Sequence, residues 1–478
     1  MPSIVFPTSS APGARMQEGA GRLVNGYAVK TEQGAPSPFK WQRSAGLRQV
    51  NGDITHVHCR GLIEVGSTVL VVLNERVWSL TESGGVFTAT NLGALAGDDP
   101  VTLSRDNAGT PNILANCDAG LFNLFINSAP TSFADGDMPS LTSIGPANGY
   151  HVGTTGGGAL WATGLNAVTV DSGANTNAQS NPDGLLRAVW MDGELIAFGG
   201  KTIETFEETG DSPFPFRNKK TPINGGGLIG THAVAGWQEG WVGKLIWAAE
   251  DGTVRLRQGY VGTVISNEDV SRAIRESADR SALQACVYME GDNAIWELTS
   301  PGEWTWCFNV TTGRWHEKVS QGRSDSRLRC TVRAFDRWIG GDDETGKLAS
   351  VDPSYKFEYG DPLVWDIISG ANLNFPYSLE VGSVFLNFTA AQGNAAGSDP
   401  IETTPKVSVR FSLNGGQSWG NWIERELGRQ GEGDKQVCFN GVGTTRGGKG
   451  LRVHARISDP VSPAFMGGEM PDVKARAA

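Results

Sequence analysis

A chain of 478 residues is long enough for two to four ordinary domains, or for fewer if it is all-β, and it can bury a large core. Only 19% of its residues are charged, while it holds 64 glycines and 15 tryptophans, a profile of tight turns and large rings that excludes disorder and coiled coil. A net charge of −11 argues against a protein that grips nucleic acid by its phosphates, since that requires clustered Lys and Arg.

Residues 1–50 carry Pro, Gly and Ser-rich pieces with little periodicity and are expected to form an extended arm leading into the repeats that follow. The basic residues Arg15, Arg22, Lys30, Lys40, Arg43 and Arg48 outnumber Glu18 and Glu32, which suits either docking on an acidic surface or an ordinary solvated arm. Met1-Pro-Ser-Ile-Val-Phe has no charged leader followed by a long apolar stretch. No window approaches the ~18 apolar residues of a membrane span, so a soluble protein is expected.

From 51 to 370 the chain repeats one pattern: an apolar or aromatic run, a Gly/Asp/Asn turn, and a second run. Val69-Leu-Val-Val-Leu73 with Arg76-Val-Trp-Ser-Leu80, and Glu194-Leu-Ile-Ala-Phe198 with Thr202-Ile-Glu-Thr-Phe206, are β-branched and aromatic stretches too short for helices and bounded by turn formers. The turns centre near Asn74, Asp118, Gly157, Gly200, Asp251, Thr312 and Thr345. Their mean spacing of about 45 residues is that of a propeller blade, roughly 40–50. The alternation in Thr253-Val-Arg-Leu-Arg257 and around Ile203 to Phe206 predicts outer strands with one face inward and one in water. A single blade leaves both sheet faces bare, so stacking and ring closure are required. The prediction is therefore an all-β fold, a β-propeller of about seven blades; six or eight stay open because the long interval from Asp251 to Thr312 either hides a blade or holds a helix. Ser266-x-x-Asp269 resembles a capping box, and Val270, Ala273, Ile274 and Ala278 follow helical spacing up to about Ala285.

Residues 371–478 break this rhythm. Strands are expected at 378–387, 406–413, 421–427, 437–440 and 451–458, forming a separate β-sandwich or barrel with exposed loops at 392–405 and 429–435 and a frayed tail after Pro471. The six cysteines, Cys59, Cys117, Cys286, Cys307, Cys330 and Cys438, contain no Cys-x-x-Cys and are read as free thiols, buried by default.

Several strings suggest chemistry and have plainer explanations. Ser412-Leu-Asn-Gly-Gly-Gln-Ser-Trp419 resembles an Asp-box with Asn414 in place of Asp, a hairpin device remote from catalysis. Gly416-Gln-Ser-Trp-Gly420 inside it matches a nucleophile elbow but has no helix to expose Ser418. Gly225-x-Gly227-x-x-Gly230 matches the dinucleotide fingerprint but leads into strands rather than a helix. His56-x-His58-Cys59 offers three metal ligands on two faces of a strand and lacks a fourth. Gly341-Asp-Asp-Glu-Thr-Gly346 has the oxygen density of a calcium loop without EF-hand spacing. The tryptophans suit a core better than a sugar platform. Accordingly no catalytic, cofactor-binding or metal residues are assigned, and no cofactor is expected.

Three stretches, in order, resemble one family. Arg22-Leu-Val-Asn-Gly-Tyr-Ala with Lys40 and Ser44-Ala-Gly-Leu47 comes first. Gln179-Ser-Asn-Pro-Asp-Gly-Leu-Leu186 follows, leading through Trp190 to Leu195-Ile-Ala-Phe-Gly-Gly-Lys-Thr-Ile-Glu-Thr-Phe206. Phe308-Asn-Val-Thr-Thr-Gly-Arg-Trp-His-Glu317 and Ile339-Gly-Gly-Asp-Asp-Glu-Thr-Gly-Lys-Leu348 complete the set. Together they resemble the packaged-DNA stabilisation proteins, or tail hub (tail accessory) proteins, of short-tailed bacteriophages, over roughly residues 20–360 and more faintly beyond. Ser44 departs from the Pro expected there, and 371–478 diverge most.

The resemblance implies a structural virion protein of the tail, assembled in the host cytoplasm, and not an enzyme. It would form a homo-oligomeric ring, a hexamer by that resemblance, below the portal and head-to-tail adaptor. There it would extend the channel, help retain packaged DNA and anchor a distal needle, nozzle or fibre. Genomic DNA would pass through the lumen without sequence-specific binding, and an acidic wall would let it slide. The alternatives are a propeller that binds glycan or hydrolyses it, which needs carboxylates or arginines converging at the central funnel, and a WD- or kelch-type scaffold, for which only Trp365-Asp366 speaks.

Overall fold

The computed structural model describes residues 3–15, 17–51, 58–178 and 181–476. Among these, seven four-stranded antiparallel blades surround a common axis, and a two-sheet sandwich sits beside them. The innermost strands are Cys59–Val65, Thr102–Arg105, Ser143–Ala147, Leu185–Met191, Val234–Ala235, Gln284–Glu290 and Leu328–Ala334, one for each of blades 1 to 7. All seven expected turns fall in hairpins of successive blades, and six of them join the second strand to the third. Thr312 instead joins strands Trp304–Asn309 and Arg314–Glu317, one hairpin later in blade 6. That offset stretched one interval of the sequence repeat and shortened the next, so no blade is hidden.

The connection between blades 5 and 6 holds helix α1, Glu268–Glu276. Its cap is Asn267, whose Oδ1 accepts from the Val270 amide at 2.9 Å, whereas Ser266 Oγ is spent on the Val254 amide. The helix stops well before Ala285: Asp279 caps a short 3-10 turn, Arg280–Ala282, and Gln284 already opens blade 6. Val270, Ile274 and Leu283 are fully buried and tie this connection to the core.

The expectation of one wet face on the outer strands fails in blade 4, where Ile203, Glu204, Thr205 and Phe206 are all buried. Stacked blades cover each sheet from both sides, so period-two patterning no longer reports exposure. Close approach also explains several glycines. A Cβ on Gly227 would lie 2.3 Å from the Gly200 carbonyl carbon and the Lys201 nitrogen, both backbone. Gly227→Ala is therefore expected to cost about 3 kcal/mol by overpacking the joint between blades 4 and 5, read as a lowered denaturant midpoint. An unchanged midpoint would refute that packing.

Residues 1–50, expected as an extended arm, supply four strands to both units. Gly46–Gln49 is the outermost strand of blade 7, antiparallel to Leu348–Asp352, and it closes the ring from the N-terminal side. Arg22–Val24 pairs in parallel with the last strand of blade 6 and antiparallel with Trp365–Ile368, so one sheet runs from blade 6 through Arg452–Ile457 and Lys406–Ser412 to Ile423–Glu426. The facing sheet contains Gly26–Lys30, Phe39–Arg43, Phe465–Glu469, Ser378–Phe388 and Val437–Thr444. Its tail, Val473–Arg476, was expected to fray but pairs with Ser378–Phe388. Leu23, Trp41, Trp365, Val384, Val407, Phe439, Val453 and Phe465 form the core between these sheets. The sandwich thus begins with the N-terminal strands and is rejoined by Trp365–Ile368, so the unit expected at 371–478 is assembled from both ends of the chain.

Candidate functional site

The innermost strands of all seven blades enclose an axial cavity of about 310 Å³, lined among others by Arg60, Arg105, Arg187, Arg329 and Arg333. Most of this positive charge is already engaged. Arg105 pairs with Glu64 at 3.1 Å and Glu239 at 3.5 Å. Arg60 donates to the carbonyls of Asp99 and Asn74, and Arg329 pairs with Asp325 at 2.8 Å and Asp343 at 2.6 Å. Arg187 is different: it is buried, its Nε finds no hydrogen-bond partner among the described residues, and its guanidinium stacks on Trp237 at 5.4 Å. Burial lowers its pKa to about 10. Burial, helped by Arg187, also lowers His232 to about 3. Past His232 a second cavity of about 520 Å³ opens between Asp99, Asp118 and Asp279. Both spaces have the volume of a small-ligand pocket, far below that of a duplex. The two carboxylates lining the first cavity, Glu64 and Glu239, are the ones that pair with Arg105.

The outer face of the shared sheet carries a second constellation. Asp366 accepts from Arg456 through both oxygens, at 2.7 and 2.9 Å, and from His454 Nε2 at 2.8 Å. His454 Nδ1 in turn faces Arg410 Nε at 3.1 Å. Arg410 lies 4.4 Å from the Trp422 ring and 5.1 Å from Trp419, and Arg456 stacks on Trp422 at 5.0 Å. Burial raises the Asp366 carboxyl, but its hydrogen bonds to His454 and Arg456 outweigh this and hold it below the usual range. The ladder continues across Arg22 to Glu317 of blade 6 at 2.6 Å. It fixes sandwich to propeller. Near the loops of the sandwich, Leu373, Phe375 and Tyr377 are 54%, 77% and 49% exposed.

The strings singled out in the sequence occupy turns, loops and packing positions. In the Asp-box-like turn Ser412 Oγ accepts from the Gly416 amide at 2.8 Å, and Asn414 Oδ1 from the Ser418 amide at 2.9 Å. This places Ser418 in the hairpin between Lys406–Ser412 and Ile423–Glu426, where its Oγ accepts from Asn414 Nδ2 at 2.8 Å. Gly225, Gly227 and Gly230 are loop and packing residues ahead of strand Val234–Ala235. His56 lies outside the described residues, His58 pairs with Asp343 at 3.3 Å, and Cys59 meets Cys330. Asp342 is held by Arg327 at 2.7 and 2.8 Å. No group of three or more His, Cys, Asp or Glu suited to a metal occurs among the described residues. Trp365 and Asp366 belong to the sandwich, not to a blade. Trp247, Trp296, Trp338 and Trp365 are core, while Trp419 and Trp422 flank Arg410. Arg22, Arg43 and Arg48 of the basic N-terminal segment are consumed internally, Arg43 by the carbonyls of Asp459, Val461 and Leu363. Sequence reasoning missed Arg187 because its isolation depends on which strands meet at the axis.

The motifs that carried the family resemblance have matching jobs. Asn25, at φ 56°, turns the chain from one sandwich sheet to the other, and its Nδ2 donates to Val319 and Val364. A Cβ on Gly26 would strike the Trp365 indole. Asp183 clamps the Gly200 turn by accepting from the amides of Lys201 at 2.6 Å and Thr202 at 2.9 Å. Trp315 packs with Trp296, Trp306 and Phe308 and donates to the Ile265 carbonyl.

The fold is a closed seven-bladed ring bonded through one sheet to a sandwich, with a small cavity on its axis and its marked motifs at turns and packing positions. The chain belongs to the phage-stabilisation family described as bacteriophage P22 Gp10, beta-propeller, whose family model matches residues 24–356. It is thus a phage structural protein of the packaged-DNA stabilisation class and a component of the virion. No protein among those with curated descriptions matches it. Among solved structures it is similar to the WD40 beta propeller domain of Doa1, at 12% identity, TM-score 0.43, and coverage of 65% of this chain and 98% of that one. A chain in the Mitotic Checkpoint Complex gives 13% identity, TM-score 0.40, and coverage of 68% and 99%. PorZ of the type-IX secretion system of Porphyromonas gingivalis gives 11% identity, TM-score 0.39, and coverage of 71% and 45%. No helix among the described residues is long and apolar enough to cross a membrane.

Proposed function

We propose that this protein is a non-catalytic hub of the phage tail, built as a ring of six copies below the portal and adaptor, that lengthens the DNA channel, helps hold the packaged genome and anchors the distal tail. One observation carries the ring: the axis of the single propeller is a cavity of only about 310 Å³, so a duplex has no path through one chain. A conduit for DNA then requires a lumen between copies, closed by heterologous contacts around a rotation axis. The net charge of −11 supports a wall that repels phosphate and lets the polymer slide. The exposed Leu373, Phe375 and Tyr377 supply an apolar surface for such contacts. Electron microscopy of the purified protein, alone and mixed with its portal–adaptor complex, is expected to show rings or docked caps. Isolated monomers in both samples would overturn the proposal.

A further inference from the structure

The ring closes at the seam between blades 7 and 1, and two thiols meet there. Cys59 opens the innermost strand of blade 1, Cys330 lies on the innermost strand of blade 7, and their Sγ atoms are 3.0 Å apart. The pair is 271 residues apart in sequence and shares a core with Val69, Val71, Leu80, Ile339 and Leu348. Its space is made by a glycine: a Cβ on Gly341 would lie 2.1 Å from Cys59 Sγ. Cys59 is buried, while Cys330 is half-buried, and both line the axial cavity, which gives a small reagent a route to the pair.

We propose that Cys59 and Cys330 form a disulfide that locks the propeller seam once the protein meets an oxidising medium. About 1 Å of further approach reaches the bond length of about 2.05 Å. The co-reactant is a small-molecule disulfide such as oxidised glutathione. Cys330, as thiolate, attacks one of its sulfurs and releases one glutathione thiolate. Cys59 then loses its proton and attacks the mixed disulfide at Cys330, releasing the second, so two protein thiols are oxidised and one glutathione disulfide is reduced. The hydrogen bond to Cys330 and burial both raise the Cys59 thiol well above its ordinary value, so the second step is expected to be slow and to quicken as pH rises.

The test is incubation of the folded full chain with oxidised glutathione, trapping of free thiols with iodoacetamide, and peptide mass spectrometry. The expected product is a Cys59–Cys330 cross-linked peptide lacking two hydrogens, with Cys286 and Cys307 still alkylated after unfolding. Oxidation is also expected to raise the thermal midpoint by about 5 °C. That rise should be absent in Cys330→Ser and in Cys59→Ala, which are two routes to the same readout should one variant fold poorly. Free Cys59 and Cys330 in protein that stays folded after prolonged oxidation, a stable glutathione adduct on Cys330, or pairing of either residue with Cys286 would each overturn the proposal.

Discussion

Lys318→Met is expected to destabilise the protein by about 3–5 kcal/mol, because it strands buried carboxylates without their cation. Lys318 is fully buried; its Nζ lies 3.5 Å from Glu297 Oε2 and 3.1 Å from the Tyr288 hydroxyl, which itself donates to Glu297 at 2.6 Å. Burial opposes the ammonium, but Glu297, Glu358 and Glu290 outweigh it and raise its pKa. Burial raises Glu290 and Glu358 in turn, against the pull of Lys318. The cluster sits under the closing strand. Glu290 Oε2 accepts from the Ala45 amide at 3.0 Å, and Glu358 pairs with Leu47 of Gly46–Gln49. Equilibrium denaturation measures the loss, and Lys318→Met with Glu297→Gln is expected to recover part of it by removing a charge together with its partner. A midpoint within experimental error of wild type for the single variant would refute the role of the ion cluster.

Stability is expected to fall as pH drops from about 6.5 towards 4, mainly through buried histidines. His316 is enclosed beside Tyr27 at 5.2 Å, and neither ring nitrogen has a hydrogen-bond partner among the described residues. Burial and the nearby Lys318 lower it from 6.5 to about 3. His151 is buried with Nδ1 2.7 Å from Ser104 Oγ, and burial lowers it from 6.5 to about 4 despite Asp106. Below 6.5 the unfolded chain takes up protons that the native state refuses until about 4 or 3. Their stabilisation, with that of His232, which burial lowers to about 3, is therefore complete above 6.5 and shrinks on acidification, approaching about 4 kcal/mol per pH unit for the three together. Glu290 and Glu358 act in the opposite sense: their raised native pKa values favour the fold as pH falls towards the usual carboxylate range. His316→Phe is expected to fold at pH 7 and to remove about a third of the histidine slope. Thermal midpoints measured from pH 7.5 to 4.5 decide it, since parallel curves for wild type and variant would sink the argument.

The cap of α1 shows how far local sequence reached. A polar cap just before Glu268 was legible, yet Asn267 rather than Ser266 holds it, because Ser266 is claimed by Val254 of blade 5. The end of the helix was misread for the same kind of reason: Gln284 and Ala285 pair with Thr299 and Leu298, partners that no local window contains. The turn at Gly200 was readable, while its clamp by Asp183 requires knowing that residues 183 and 201 meet.

By itself the sequence determined the β-rich class, the repeat near 45 residues and the positions of the hairpin turns, because runs and turn formers act within a few residues of one another. It also carried the family, through motifs that prove to be the turns and corners of the fold. Tertiary structure alone decided which chain segments close the ring and build the sandwich, since Gly46–Gln49 reaches Leu348–Asp352 and Arg22–Val24 reaches both blade 6 and Trp365–Ile368. It also decided which charges are spent inside, such as Arg43, Lys318 and Arg105, and that the Arg187 Nε is left without a hydrogen-bond partner among the described residues. The physical reason is that pairing across hundreds of residues is chosen by the burial and hydrogen bonding of the whole, and propensity along the chain has no term for it.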